Sequence, residues 1–354
     1  MGQQAFKRKQ PTPQEITQWV EDLGADQFAL RDAASRKLKA AGFAAVGPVG
    51  EALSGRELEV SVRAANILQQ LALSGDDETE SAARQALERV AELRVTATAR
   101  RAQDALNKLD ELRQQQALDV LTHLGARLDR EHVEPGVNGI DDLTELRIDN
   151  SWRGTDQDFE RLKWLVDVKQ ITFEGKRIDQ KWIRHVQHLP NVAVVKIKRV
   201  KINDQTLVHL SKLERLKFIK LLYVPITNDG LEHIKKCKHL EKVMLFGTKV
   251  TEEGADRLRE VMVADVDRRD GAFMGIAATR GPDWFITMVT AGSAAENAEI
   301  RVNDVIVNYD GHDVANFDEL TALISKNTPG TTVPITVRRG NLIIEKSVTL
   351  GAWD

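Results

Sequence analysis

The 354-residue chain holds one cysteine, Cys237, so no disulfide can form within it. It has no apolar run long enough to span a bilayer. Its first thirty residues lack the apolar core of a signal peptide and begin Met1-Gly2-Gln3-Gln4-Ala5-Phe6-Lys7-Arg8-Lys9. Two compartments stay open: the cytoplasm, or the cell envelope and periplasm if a leader has been removed. A myristoylation start is disfavoured by Lys7 and by Phe6, where Ser or Thr is required. No phosphate-cradling glycine loop and no Gly-x-Ser-x-Gly elbow occurs. Asp265 to Gly271 carries acids like a calcium loop, but the third acid is displaced by one and Arg269 occupies a ligand position. His185 and His188 lack the spacing of a zinc pair on one helix face. No catalytic residue, metal or cofactor is therefore expected. A binding protein is expected rather than an enzyme.

What the chain does have is a period of twenty-four. Ile178, Ile202, Ile226 and Val250 open successive units. Each unit has a helical stretch and then the triplet LxxLxL: Val168/Ile171/Phe173, Val192/Val195/Ile197, Leu216/Ile219/Leu221 and Leu240/Val243/Leu245. Leu143/Leu146/Ile148 precedes them one residue out of step. A fixed period with short strands implies stacked units, each burying its apolar edge against the next. His185, His209 and His233 recur at the same period, and are read as partly buried helix residues rather than a metal or pH-sensing column.

These units, from about Ile140 to Val261, resemble bacterial leucine-rich repeats, most closely at Ile226-Thr227-Asn228-Asp229-Gly230-Leu231 and Gly247-Thr248-Lys249-Val250-Thr251. The family's polar ladder residue is present only as Thr248; Val200 and Val224 stand elsewhere, so the turns must satisfy their backbone groups another way. Side chains alternate along a strand, so residues between the triplets should form the concave face. Beyond Gln170, Thr172 and Glu174, that surface would consist of Val194, Lys196, Lys198, Phe218, Lys220, Leu222, Lys242, Met244 and Phe246. An exposed mixture of lysines and apolar groups would mark an interface.

The net charge of −3 conceals an uneven distribution. Lys176 to Lys249 holds 17 Lys+Arg against 6 Asp+Glu, a balance of +11; Val261 to the end holds 8 against 13, or −5. The basic face could meet an acidic protein, the chain's own acidic end, or only solvent. Nucleic acid is disfavoured, because Phe218 and Phe246 are too few for a base-stacking platform.

Ahead of the repeats, residues 1–12 read as a flexible tail. Thr12, Pro13 and Glu15 have the spacing of a capping box with proline at the first helical position. Helical periodicity continues to about Leu128, the last part from Ser81 as one or two long helices. The stretch from Leu23 through Arg31, Ala33, Ala34 and Leu38, with Arg63-Ala64-Ala65, resembles HEAT-type helical repeats; a plain helical bundle is the alternative. A loop from Arg130 to Asp141, with Pro135-Gly136 and Asn138-Gly139, leads into the repeats.

The last domain shows short strands near 275–279, 284–289, 304–309, 332–338 and 342–349. It also shows a helix from Phe317 to Ile324 with Asn316 as N-cap and Glu319 three residues on. Ala272-Phe273-Met274-Gly275-Ile276, Ala291-Gly292-Ser293-Ala294-Ala295, Asn303-Asp304-Val305-Ile306 and Val337-Arg338-Arg339-Gly340 resemble PDZ domains of HtrA-type proteases. Ala298-Glu299-Ile300 and Asn303-Asp304 depart from the usual Ala-Gly-Leu and Gly-Asp, which puts the geometry of those turns in question. The protease nucleophile motif Gly-Asn-Ser-Gly-Gly is absent. The resemblance implies a carboxylate-binding loop at Phe273, Met274, Gly275 and Ile276, an edge strand Ile276-Ala277-Ala278, and a pocket lined by Leu320, Leu323 or Ile324. A groove filled by the chain itself is the alternative.

The expected architecture is multidomain α+β. A flexible tail (1–12) precedes an all-α HEAT-like segment (13–128), an α/β leucine-rich-repeat solenoid (129–262) and a PDZ-like β domain with helices (263–354). The mixture resembles multidomain bacterial proteins, planctomycete proteins especially. It implies a non-catalytic adaptor or scaffold that binds a peptide C-terminus or extended peptide through the PDZ domain, and a protein partner through the repeats. The alternatives are a regulatory or substrate-presenting subunit of a separate protease or chaperone, and a purely architectural protein.

Overall fold

A computed structural model describes residues 10–93, 96–131, 143–281 and 283–353. The chain divides into two compact units, one ending at Asp119 and one beginning at Val120. The expected turns at Pro135-Gly136 and Asn138-Gly139 lie outside the described residues.

The first unit is helical: α1 (Pro13–Asp22), α2 (Phe28–Ala40), α3 (Phe43–Leu53), α4 (Leu58–Leu71), α5 (Asp77–Ala91) and α6 (Ala97–His123). Helix α1 starts at the expected capping box. The Glu15 amide donates to Thr12 Oγ1 at 3.3 Å, and the Thr12 amide to Glu15 Oε2 at 2.8 Å. Leu23, Leu38, Leu53, Leu68, Leu87 and Leu109 are wholly buried in the unit's core. Two arginines serve backbone carbonyls in the connections between helices. Arg31 donates to Ala25 O and Asp26 O at 2.7 and 2.8 Å, closing the turn before α2; buried Arg113 donates to Ala72 O at 2.7 Å.

The second unit is led by a seven-stranded sheet in simple sequence order: β1 (Arg127–Glu131), β2 (Leu143–Ile148), β3 (Val168–Glu174), β4 (Val194–Lys198), β5 (Phe218–Leu222), β6 (Lys242–Phe246) and β7 (Asp265–Arg269). β1 is antiparallel to β2, and β2 through β7 run parallel. The connections are three short 3₁₀ helices at 157–164, 180–188 and 204–212, then α7 (Asn228–Ile234) and α8 (Glu252–Val261). The four triplets from Val168 to Leu245 are all buried, as are the unit openers Ile178, Ile202, Ile226 and Val250.

Register is held by three ladders with the period of the sequence. Before the strands, the amides of Ala193, Lys217, Glu241 and Asp265 donate to the carbonyls of Lys169, Ala193, Lys217 and Glu241 at 2.7–2.8 Å. After the strands, the amides of Gly175, Arg199, Tyr223 and Gly247 donate to Lys198, Leu222, Phe246 and Arg269 at 2.8–2.9 Å. All four of these donors have positive φ (117°, 55°, 53° and 61°), which turns the N–H toward the next unit. The third ladder uses side chains. Gln180, Asp204 and Asn228 accept from the amides of Asn203, Thr227 and Thr251 at 3.2, 2.7 and 3.0 Å. Gly254 leaves room for this: a Cβ there would sit 2.0 Å from Asn228 Oδ1. Polar satisfaction thus moves from the turns, where Val200 and Val224 are buried, to the caps of the next short helices.

β1 begins at Arg127, inside the segment expected to be helical, and β7, in the segment expected to open the last domain, joins the seven-stranded sheet. The Asp265 amide sits twenty-four residues after that of Glu241 and makes the same bond, so the hydrogen-bond phase continues although the apolar triplet has ended.

The remainder is a small β-module. β8 (Ile276–Ala278) pairs with β9 (Ile286–Val289), and a second sheet has the order β11-β10-β12-β13, from β10 (Val305–Tyr309), β11 (His312–Asp313), β12 (Thr332–Arg339) and β13 (Leu342–Thr349). Helices α9 (Ala294–Asn297) and α10 (Phe317–Ser325) pack with these strands around Trp284, Ile286, Ile306, Tyr309, Leu320 and Val337. The expected N-cap of α10 forms, with the Glu319 amide donating to Asn316 Oδ1 at 2.9 Å.

Asp204 accepts both the Thr227 amide (2.7 Å) and the Thr227 hydroxyl (2.8 Å). Asp204→Ala should lower stability by about 1–3 kcal/mol in urea unfolding, and Asp204→Asn by less, because one acceptor oxygen is kept. Cys237 is buried, and burial pushes its thiol up to about 12. The folded chain should therefore resist alkylation at pH 7.5, whereas urea-unfolded chain is labelled to completion; labelling of folded chain at the unfolded rate would contradict the placement of Cys237.

Candidate functional site

Loop and strand chemistry puts the candidate groove between β8 and α10. The loop Phe273–Gly275 precedes β8, and Gly275 has φ +86°. A Cβ at Gly275 would lie 2.1 Å from Ser293 Cβ, so both conformation and space require glycine. The loop is held from three sides. Phe273 and Gly351 exchange both backbone hydrogen bonds at 2.8 Å, Ala295 N donates to Met274 O at 2.8 Å, and Thr290 N donates to Gly275 O at 2.8 Å. The amides of Met274 and Gly275 donate to no acceptor among the described residues. A left-handed glycine between fixed neighbours is the geometry in which successive amides gather round an anion.

Among the described residues β8 pairs on one side only, with Ile276 opposite Val289 and Ala277 opposite Met288. N–H and C=O alternate sides along a strand, and Gly275 O faces β9. Ile276 and Ala278 therefore present their backbone groups to the open edge. A cleft lies there, lined by Met274, Gly275, Ile276, Phe317, Thr321, Ile324 and, at its head, Asp270, Phe273 and Trp353.

The structure brings together Phe273, Met274, Gly275, Ile276 and Ile324, as expected from sequence. It corrects the helix wall. Leu320 is wholly buried and Leu323 packs against the same core, whereas Phe317, Thr321 and Ile324 line the cleft. Positions 317, 321 and 324 form one stripe on a helix of 3.6 residues per turn, and Leu320 points from the adjacent stripe into the module. Ala277 points to β9 through its backbone, and Ala278 to the edge.

Trp353 went unrecognised in the sequence. Its amide donates to Tyr223 Oη at 2.8 Å, and its ring lies 4.5 Å from the Phe273 ring and 5.5 Å from the Phe246 ring. The Arg269 guanidinium sits 4.6 Å over the same ring, and Tyr223 Oη donates to Gly271 O at 3.2 Å. No local pattern announces a contact across 130 residues. Arg268 Nη2 donates to both carboxylate oxygens of Asp270 at 2.5 Å, and this ion pair offsets the negative charge at the cleft head.

The sheet face does not have the expected exposure. Val194, Phe218, Leu222 and Phe246 are buried and Lys220 is 4% exposed; Lys196, Lys198, Lys242 and Met244 are half-buried. Val194 pairs in register with Phe218, so parallel neighbours about 4.8 Å apart cover one another, with Met244 packed alongside. Trp353 covers Phe246. Some charges on this face meet acids of the chain itself: Lys198 lies 3.9 Å from Glu174 and Lys242 3.8 Å from Asp265. His185 is packed as expected, stacked 5.9 Å from Phe159 with Nε2 3.0 Å from Asp156 Oδ1.

The two unusual turns also find their explanation. Glu299 and Asn303, standing where glycine is usual, have φ of +55° and +72°. Such backbone costs about 1 kcal/mol or more per residue outside glycine. Arg339 holds the turn: it donates to Glu299 O at 2.9 Å and to both oxygens of buried Asp304 at 2.7 and 2.8 Å, while Arg301 N donates to Asp304 at 2.8 Å. Burial disfavours the charged carboxylate, but the Arg339 and Arg301 hydrogen bonds outweigh it and hold Asp304 below the usual carboxylate range.

Residues 260–350 match the PDZ domain family. Over 65 residues the chain is 45% identical to a probable periplasmic serine endoprotease, DegP-like, of Chlamydia muridarum; the match is 18% of this chain and spans 13% of that protein. The serine endoprotease of Yersinia pestis is 24% identical over 24% of this chain and 30% of its own, with a TM-score of 0.22. The HtrA3 PDZ domain bound to a phage-derived ligand is 22% identical over 23% of this chain and 86% of its own, with a TM-score of 0.21. The C-terminal module is thus a PDZ domain of HtrA type.

Asp304→Asn should destabilise the chain at neutral pH by about 3 kcal/mol, because it leaves the Arg339 charge without its partner. The native carboxyl is depressed, so its stabilisation is present above the unfolded pKa near 4 and is lost as pH falls through the native value. Thermal unfolding between pH 6 and pH 3 should show a shallower acid decline in Asp304→Asn than in wild type; parallel curves would remove Asp304 from the acid response.

Proposed function

We propose that this chain is a non-catalytic adaptor that captures the C-terminus of an extended peptide in the groove between β8 and α10. The observation that carries this reading is the pairing of two unengaged amides, Met274 and Gly275, with the open edge of β8 beside an apolar cleft. A peptide strand would add to β8 through main-chain hydrogen bonds, its carboxylate would take the loop amides, and its last side chain would enter the space between Ile276, Phe317 and Ile324. In this reading the seven-stranded sheet is a leucine-rich-repeat solenoid and the helical unit is HEAT-like. Together they form a scaffold that holds a larger protein partner.

A second reading is a subunit that presents substrates to a separate protease. It is favoured by the 45% identity to a protein named as a periplasmic serine endoprotease, of which the matched segment is 13%. The same name favours the cell envelope as the compartment.

The test uses the full chain and a fluorescent peptide with an apolar last residue, as free acid and as amide. Amidation removes the charge that the loop would hold and should weaken binding at least about tenfold. Thr321 is exposed on the cleft wall, so Thr321→Trp should fill the cleft and abolish binding without disturbing the core. Equal binding of acid and amide would exclude carboxylate capture.

A further inference from the structure

The head of the groove is built from residues that do not belong to the β-module alone. Trp353 lies beyond the last strand, β13, and beyond the matched residues 260–350. It lines the cleft beside Phe273 and Asp270. Its position is fixed from the seven-stranded sheet: the Tyr223 hydroxyl takes its amide proton, Phe246 at the end of β6 packs against its ring, and Arg269 at the end of β7 lies over the ring. Its indole N–H points at Asp270 O, 3.4 Å away. Tyr223 also donates to Gly271 O, so one hydroxyl ties both chain segments that form the cleft head.

From this we infer that Trp353 is a specificity-determining residue of the groove, a wall set by the sheet that limits the size of the last side chain of a bound peptide. The inference rests on the groove reading above and adds a determinant to it. A pocket bounded only by β8 and α10 could widen by movement of an exposed loop. Here the far wall is an aromatic ring held by a hydrogen bond and three ring contacts to Phe246, Phe273 and Arg269. A bulky terminal group would have to displace that ring and, with it, the packing between sheet and module. A small one would not. Selectivity at the groove is therefore set in part by Tyr223 and Phe246, which touch no peptide.

The experiment measures affinity of the full chain for three peptides that differ only in the last residue: Ala, Val or Phe. Wild type should favour Ala or Val over Phe. Trp353→Ala should raise the affinity of the Phe peptide relative to the Ala peptide by roughly tenfold, while Trp353→Phe, which keeps a ring against Phe273, should stay near wild type. Tyr223→Phe removes the hydroxyl that anchors Trp353 and should shift the ratio in the same direction by less. It carries the test should Trp353→Ala fail to fold. Loss of affinity in equal proportion for all three peptides would assign Trp353 a structural role only and overturn the inference. So would an unchanged ratio in a folded variant. If wild type binds none of the peptides, the groove reading fails and this inference fails with it, a result distinct from selective binding that ignores Trp353.

Discussion

Every strand from β3 to β6 depends on one requirement: the amide just past its end must reach a carbonyl of the next strand. Gly175, Arg199, Tyr223 and Gly247 meet it by adopting positive φ, a conformation that β-branched or bulky side chains resist. At Arg199 and Tyr223 the hydrogen bond that the conformation makes offsets its cost. The rest of the sheet follows from that choice. Strand spacing, the placement of the short helices and the side-chain ladder of Gln180, Asp204 and Asn228 all repeat with the same phase. Tyr223 has a second use. The turn that gives its backbone the left-handed conformation also leaves its hydroxyl where Gly271 O and the Trp353 amide converge.

The fold was legible where physics is local. The triplets marked the buried side of each strand, because a parallel sheet covered by helices must be apolar there. Thr12–Glu15 and Asn316–Glu319 marked helix starts, because a cap is written within four residues. The loop before β8 was readable from its glycine: Gly275 is demanded by its own φ and by the close approach of Ser293. β7 was not readable. Asp-Val-Asp-Arg-Arg carries no triplet, and its place in this sheet comes from parallel pairing with β6 along its whole length. The exposure of the alternate face was misjudged for a related reason. Alternation tells which way a side chain points, whereas burial depends on what stands next to it, and Val194 and Phe218 stand next to each other.

The candidate site divides along the same line. The loop came from pattern and the helix wall was one stripe out, because a list of apolar residues on an amphipathic helix does not distinguish core from cleft: Leu320 faces inward and Thr321, a polar residue, faces the groove. Trp353 could not be assigned at all, because its partners Tyr223, Phe246 and Asp270 are brought to it only by the folded chain.

A stack of like units has no inherent end; each finished unit offers the next a template of the same shape, which is how fibres grow. This sheet is closed at both extremes by strands of a different kind. At one end β1 runs antiparallel to β2, so the parallel repeat is broken there. At the other, four of the five residues of β7 are charged, and charge on an edge strand opposes pairing with another chain. The length of the assembly is therefore written into the chain twice, by a reversal of direction at its start and by charge at its finish, which makes the stack a counted object rather than a polymer.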